Sequence, residues 1–148
     1  MLRVVAICLI LSCVSIAWAQ ERPPISEQVT FLYYDNLDEA QAFYSDVLGL
    51  ELAFDLDWVK IFRLSPTSSV GLVNASGGAH RPSDAKPVMV SMVVAPEDVD
   101  PWHAYLKAKG VDVGEGPKNG ADGHVRAFGF KDPAGYTLEV FAWLKVAE

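Results

Sequence analysis

Leu37-Asp38-Glu39-Ala40-Gln41-Ala42-Phe43-Tyr44 runs on to Val47-Leu48-Gly49, and the same pattern returns as Val99-Asp100-Pro101-Trp102-His103-Ala104-Tyr105-Leu106 ahead of Lys109-Gly110. Laying Leu37 on Val99 also lays Phe43 on Tyr105 and Tyr44 on Leu106. Each copy carries an apolar stripe at helical spacing and ends at a glycine. Self-similarity on this scale predicts an architecture built twice. Two modules that each expose an apolar sheet face can meet across a shared cleft, which is where function is to be sought.

Outward from each helix, alternating apolar residues predict strands. In the first half these are residues 29–34, 50–54, 59–64 and 70–74, around a helix over 38–48. The polar stretch 76–87, with Gly77-Gly78 and two prolines, is a connector. The second half reads as a strand over 88–94, a helix over 98–109 and a short strand over 111–113. A glycine-rich loop over 114–123 follows, then strands over 124–130 and 137–143 joined by Asp132-Pro133-Ala134-Gly135. Neither module is large enough to bury a core alone.

The chain has 148 residues and a formal net charge of -7. An acidic envelope without a basic cluster disfavours nucleic acid and anionic membrane as partners. Residues 1–19 have a basic start, an apolar run and the small-x-small exit Ala17-Trp18-Ala19, the layout of a cleaved secretory signal peptide. The expected product begins at Gln20, is periplasmic or secreted, and has no membrane contact after cleavage. The alternative is a lipoprotein tethered through Cys13, because Ile10-Leu11-Ser12-Cys13 is similar to a lipobox. Cys8 and Cys13 are the only cysteines, so the part beyond the leader has no thiolate for catalysis or metal binding.

Three further stretches carry a family resemblance: Asn36-Leu37 through Leu50, Leu106-Lys107-Ala108-Lys109-Gly110, and above all Phe130-Lys131-Asp132-Pro133-Ala134-Gly135-Tyr136-Thr137-Leu138-Glu139. With them the chain resembles the vicinal oxygen chelate superfamily, which includes glyoxalase I, extradiol dioxygenases, methylmalonyl-CoA epimerase, and the fosfomycin and bleomycin resistance proteins. The resemblance implies one α+β domain over residues 20–148. Its two βαβββ modules, 28–75 and 87–143, would pair into an open, curled mixed sheet around a central cleft, and a homodimer would be in keeping with the family.

The resemblance also implies a divalent cation held by residues on the first and last strands of the modules. Glu139 falls on the terminal-strand glutamate position, whereas Ser91 stands where a histidine is expected. Val29, with Gln28 beside it, and Val70-Gly71-Leu72 occupy the remaining places. One clear ligand of the set survives, too few for a borderline cation. No cofactor is therefore expected. The alternative is one divalent metal ion in an atypical centre, including one that recruits His124 to Glu139.

Period-two logic then selects the candidate lining. If Phe130 opposes Thr137, Phe128 opposes Glu139, Arg126 opposes Phe141 and His124 opposes Trp143, so these side chains share the cleft face. Val125, Ala127, Leu138 and Val140 would point to the helices. Arg126, one diagonal step from Glu139, would satisfy its carboxylate. By the resemblance Phe31 and Tyr33 look inward, and Trp58, Lys60 and Phe62 alternate on one strand. Ser91 adds a polar group. The candidate catalytic residue is Glu139; the candidate ligand-binding residues are Phe31, Tyr33, Trp58, Lys60, Phe62, Ser91, His124, Arg126, Phe128 and Phe141, with a small organic molecule as partner.

The main expectation is an exported small-molecule binding protein with a degenerate metal site. One alternative is a glyoxalase-like lyase, isomerase or dioxygenase using an atypical metal centre or Glu139 as a metal-free base. The other is a periplasmic structural or interaction module. A carboxylate among apolar neighbours is costly unless paired, so Glu139 is read either as a base or substrate ligand, or as a group neutralised by Arg126.

Overall fold

Asn36 starts the first helix because its side chain stands in for a missing backbone acceptor: Oδ1 accepts the Glu39 N–H at 3.2 Å, and Nδ2 donates back to the Glu39 carboxylate at 3.1 Å. The computed structural model describes residues 22–144, so the leader and both cysteines lie outside the described residues. The first module runs β1 (Gln28–Tyr34), α1 (Leu37–Ala42, prolonged by a π turn over Phe43–Val47), β2 (Glu51–Leu56), β3 (Val59–Ser65) and β4 (Ser68–Asn74). The second repeats the order with β5 (Met89–Val93), α2 (Val99–Ala108), β6 (Lys118–Gly120), β7 (Val125–Lys131) and β8 (Thr137–Trp143). Residues 111–113, expected as a strand, carry no ladder, and the short edge strand forms later at Lys118–Gly120.

The expected curled mixed sheet is not what forms. Two separate four-stranded sheets are present, ordered β1-β4-β3-β2 and β5-β8-β7-β6, and neither is curled or closed. Within each, the first strand lies parallel to the last, and the remaining pairs are antiparallel. The crossover through the helix returns the chain to its own sheet, so each module satisfies its inner strands internally. No backbone ladder ties β1 to β5 among the described residues, and a curl running through both modules would require such a tie.

The modules are instead joined through the helix-side faces of the sheets. One apolar cluster contains Leu32, Tyr34, Tyr44 and Phe62 from the first module and Val99, Leu106, Phe128 and Val140 from the second. Hydrogen bonds cross the same junction. The Tyr34 O–H donates to Asp132 Oδ2 at 2.6 Å. The Tyr33 N–H donates to the Tyr136 oxygen at 3.1 Å, while the Tyr136 O–H donates to the Tyr33 carbonyl at 3.0 Å. Asp132 is buried, and desolvation raises its pKa against the lowering influence of its donors.

The opposite face of each sheet is left open. Phe31 and Phe54 on the first sheet are each 47% exposed, and Met89 and Val93 on the second are 53% and 60% exposed. Phe31 lies flat on Gly71 across the β1–β4 ladder, where a Cβ would meet its ring at 2.4 Å. The connector covers one end of the first open face. Arg81 clasps it by donating to the carbonyls of Ala75 and Gly78 at 2.6 and 3.0 Å, and Gly78 approaches Tyr33 and Val73 too closely for any side chain.

Candidate functional site

The terminal hairpin sets which residues reach the open face. The Asp132 N–H donates to the Tyr136 carbonyl at 3.1 Å, and Asp132 Oδ1 accepts the N–H groups of Ala134 and Tyr136 at 3.0 and 2.8 Å. That side chain closes the turn tightly, and Lys131 becomes the partner of Thr137. The register expected from the sequence is therefore off by one: Gly129 opposes Glu139, Ala127 opposes Phe141 and Val125 opposes Trp143. A one-residue slip moves every side chain of a strand to the other face. Arg126, Phe128 and Phe130 accordingly turn to the helices with Leu138 and Val140, while Val125, Ala127 and Gly129 join Glu139 on the open side.

Arg126 does not reach Glu139. Its guanidinium forms a bidentate pair with Asp100 of α2, at 3.1 and 2.7 Å, and donates to Asn119 at 3.3 Å. The pair holds the Asp100 carboxyl below its ordinary range, chiefly through the hydrogen bonds from Arg126. Phe128 is buried in the core with its ring edge-on to His103 at 5.1 Å. Phe62 is fully buried against Tyr44. Lys60 lies on the same helix-side face, since Lys60 pairs with Leu72 and Phe62 with Val70, and its ammonium pairs with Asp55.

Six of the sequence-derived candidates stand elsewhere. Glu139, Ser91 and Phe141 share the open face of the second sheet, Phe31 and Tyr33 that of the first, and Trp58 sits in the β2–β3 turn against Gly77. Tyr33 also meets His80 of the connector edge-on at 5.2 Å. His124 precedes β7, its carbonyl accepting the Leu144 N–H at 2.8 Å. It lies five strand positions before Gly129, the partner of Glu139, a separation of about 16 Å along an extended chain.

Glu139 and Ser91 form the centre of the second open face. The β5–β8 ladder sets them side by side, and Ser91 Oγ donates to Glu139 Oε2 at 2.8 Å. Around them are Met89, Val93, Phe141 and Trp143, the last two packed edge-to-face at 5.1 Å. A depression of about 450 Å³ extends from Glu139 over Ala127 and Gly129 to the loop at Gly114 and Gly116. A second, of about 400 Å³, is bordered by the same Gly114 and Gly129 and contains Lys131 and Thr137. Lys131 Nζ donates to Thr137 Oγ1 at 2.6 Å.

These donors do not fit a divalent metal. A carboxylate and an aliphatic hydroxyl are one firm ligand and one weak one, where three or four are needed. Gln28 is engaged with Thr30 at 2.7 Å in the other module, and His124 is far along the strand. Among the described residues no group of three or more His, Cys, Asp or Glu side chains could hold a metal ion.

Gly129 and Lys131 were not placed on the cleft face from the sequence. The signal that would have found them is Asp132 itself: a carboxylate that accepts two turn N–H groups closes the hairpin at Asp132 and Tyr136, and counting back from that pair brings both to the side of Glu139 and Thr137.

Comparison with known proteins agrees with this arrangement of modules. The model of the Glyoxalase/Bleomycin resistance protein/Dioxygenase superfamily matches residues 26–140. A lactoylglutathione lyase from Agrobacterium tumefaciens is 25% identical with a TM-score of 0.66, over 82% of this chain and 96% of that one. A glyoxalase/bleomycin resistance protein/dioxygenase from Nocardioides is 25% identical with a TM-score of 0.68, over 88% and 89%. A fosfomycin resistance protein from Listeria monocytogenes, at 20% identity and a TM-score of 0.59 over 78% and 90%, shares the fold. No curated protein matches the chain. With two βαβββ modules and a family match spanning most of its length, the chain belongs to the glyoxalase, bleomycin resistance protein and dioxygenase superfamily.

Proposed function

We propose that the protein is a glyoxalase-like lyase or isomerase in which Glu139 transfers a proton to and from a small organic molecule without a metal. The observation that carries this reading is the Ser91–Glu139 hydrogen bond at 2.8 Å on an open, largely apolar face. Ser91 fixes one carboxylate oxygen, and among the described residues no cation stands within ion-pairing distance of the group. A carboxylate in that condition is a base that an ordered ligand can reach. The similarity to a chain named as a lactoylglutathione lyase supports an enzyme of this class. The apolar surroundings also support a second reading, an exported binding protein that buries an organic ligand against the same face.

In the same proposal, a second copy of the chain covers the open faces. Phe31, Phe54 and Leu56 on the first sheet and Met89, Val93 and Trp143 on the second are between 44% and 60% exposed, and clustered exposed apolar side chains mark an interaction site. A two-fold pair would set the first sheet of each copy over the second sheet of the other, closing both clefts at once. Export through the leader and release into the periplasm or medium belong to this reading as well.

The test is exchange of carbon-bound hydrogen for deuterium. Hydroxyacetone incubated with the protein in D2O should lose its α-proton signal faster than in buffer, and Glu139→Gln should cut the protein-dependent rate by about 100-fold or more. Equal rates for E139Q and the parent protein would overturn the enzymatic reading. Absence of exchange together with saturable binding at the open face would favour the binding protein.

A further inference from the structure

The face that holds Glu139 carries a second charged group, and the two are kept apart. Lys131 and Glu139 stand diagonally across the β7–β8 ladder, since Lys131 opposes Thr137 and Gly129 opposes Glu139. Diagonal neighbours of this kind are about 7–8 Å apart, within reach of a lysine side chain. They nevertheless form no ion pair. Lys131 donates to Thr137 at 2.6 Å and Glu139 accepts from Ser91 at 2.8 Å, so each charge is held by a neutral hydroxyl.

The floor between them is Gly129. It borders both depressions, with Glu139 in one and Lys131 and Thr137 in the other. An added Cβ at Gly129 would meet only the Leu138 carbonyl, at 3.6 Å, so the space above it is unfilled. A molecule lying across Gly129 would touch both ends. Other charges border the trough: Asp112 caps the Gly114 N–H at 3.2 Å, and Glu115 pairs with Lys118 at 3.5 Å. Among the described residues, Lys131 is the one ammonium lining the trough that is not paired with a carboxylate.

We infer that this trough is a two-ended site for a small carbonyl compound, in which Lys131 holds the carbonyl oxygen while Glu139 takes the proton from the adjacent carbon. The inference rests on the reading of Glu139 as a base and extends it to a substrate class and a second catalytic residue. In the step, the α C–H bond breaks and its proton goes to the Glu139 carboxylate. The bonding pair becomes a carbon–carbon double bond and the carbonyl pair moves onto oxygen, giving an enolate whose charge faces the Lys131 ammonium. Return of the proton to the same carbon completes a racemisation; where that carbon also bears a hydroxyl, return to the former carbonyl carbon, with the hydroxyl proton passing to the former carbonyl oxygen, completes an isomerisation. Without Lys131, negative charge would pass from Glu139 to the ligand in a trough whose other described ammonium, Lys118, is already paired with Glu115.

Oxalate, a planar enediolate mimic, separates the two roles. Its binding, followed by the amide signal of Gly129 in 1H–15N spectra, should weaken about tenfold or more in Lys131→Met and be retained in Lys131→Arg. It should strengthen about tenfold in Glu139→Gln, because the neutral amide imitates the protonated acid and removes a like charge. Lys131 and Glu139 lie on the open face rather than in the core, so these variants should fold. Oxalate affinity unchanged in K131M, or unchanged in E139Q, would overturn the inference. If E139Q abolishes hydroxyacetone exchange while K131M leaves it intact, Glu139 stands as the base and the role of Lys131 is refuted.

Discussion

Replacing Asp132 with alanine tests the joint on which the whole arrangement hangs. The side chain is 4% exposed and accepts the Tyr34 hydroxyl at 2.6 Å and the N–H groups of Ala134 and Tyr136 at 3.0 and 2.8 Å. The Tyr44 hydroxyl lies farther off, at 3.5 Å. Asp132→Ala strands three good donors, and each buried donor left unsatisfied costs about 1–3 kcal/mol. Removing a carboxylate that burial has made costly offsets part of that loss. The net expectation is about 3 kcal/mol, or roughly 10 °C in Tm for a domain of this size. Asp132→Asn keeps an acceptor for the turn N–H groups and should cost about 1 kcal/mol at neutral pH. The pH dependence has a definite sign. Because the folded-state pKa of Asp132 is raised above its unfolded value, the stability linked to its protonation is full below the unfolded pKa and is lost as pH rises through the folded pKa. The advantage of the parent protein over D132N should therefore shrink between acid and neutral pH. Calorimetry or circular-dichroism melts across that range read both effects. A Tm change under about 2 °C in D132A, or an advantage over D132N that grows with pH, would refute the reasoning.

Two other perturbations probe different parts of the account. Phe128→Ala should cost about 3–5 kcal/mol, the usual range for a buried phenylalanine, and Phe141→Ala well under half of that; denaturant melts giving the opposite order would return the hairpin to the register expected from the sequence. Phe54→Glu places a charge on the first open face, so sedimentation should find the parent protein dimeric and F54E monomeric, with a monomeric parent contradicting the proposed pairing of faces.

The repeated helices and the alternation around them were sufficient to foresee two βαβββ modules, because helix stops at Gly49 and Gly110 and strand patterns are local properties. The extent of the sheets was not legible. Whether β1 and β5 share a ladder depends on how two finished modules dock, which no local pattern encodes. The register of β7 on β8 failed for a narrower reason. Phe128, Phe130, Leu138 and Val140 suit a core and an aromatic wall equally well, and only the Asp132 side chain, folded into its own turn, selects the core. With that slip Arg126 exchanged Glu139 for Asp100, and Glu139 was left to Ser91. Ser91 was identified as the residue standing where a histidine ligand is expected, yet its use as a hydroxyl donor to Glu139 follows only from the parallel β5–β8 pairing.

In the proposed function Glu139, braced by Ser91, moves a proton without help from a metal. The most direct measurement is hydroxyacetone deuterium exchange by protein purified without chelator, assayed before and after EDTA treatment, with metal content determined on the same sample. The account predicts an unchanged rate and far less than one divalent ion per chain. About one ion per chain, lost with EDTA along with the exchange and lost again in E139Q, would contradict it.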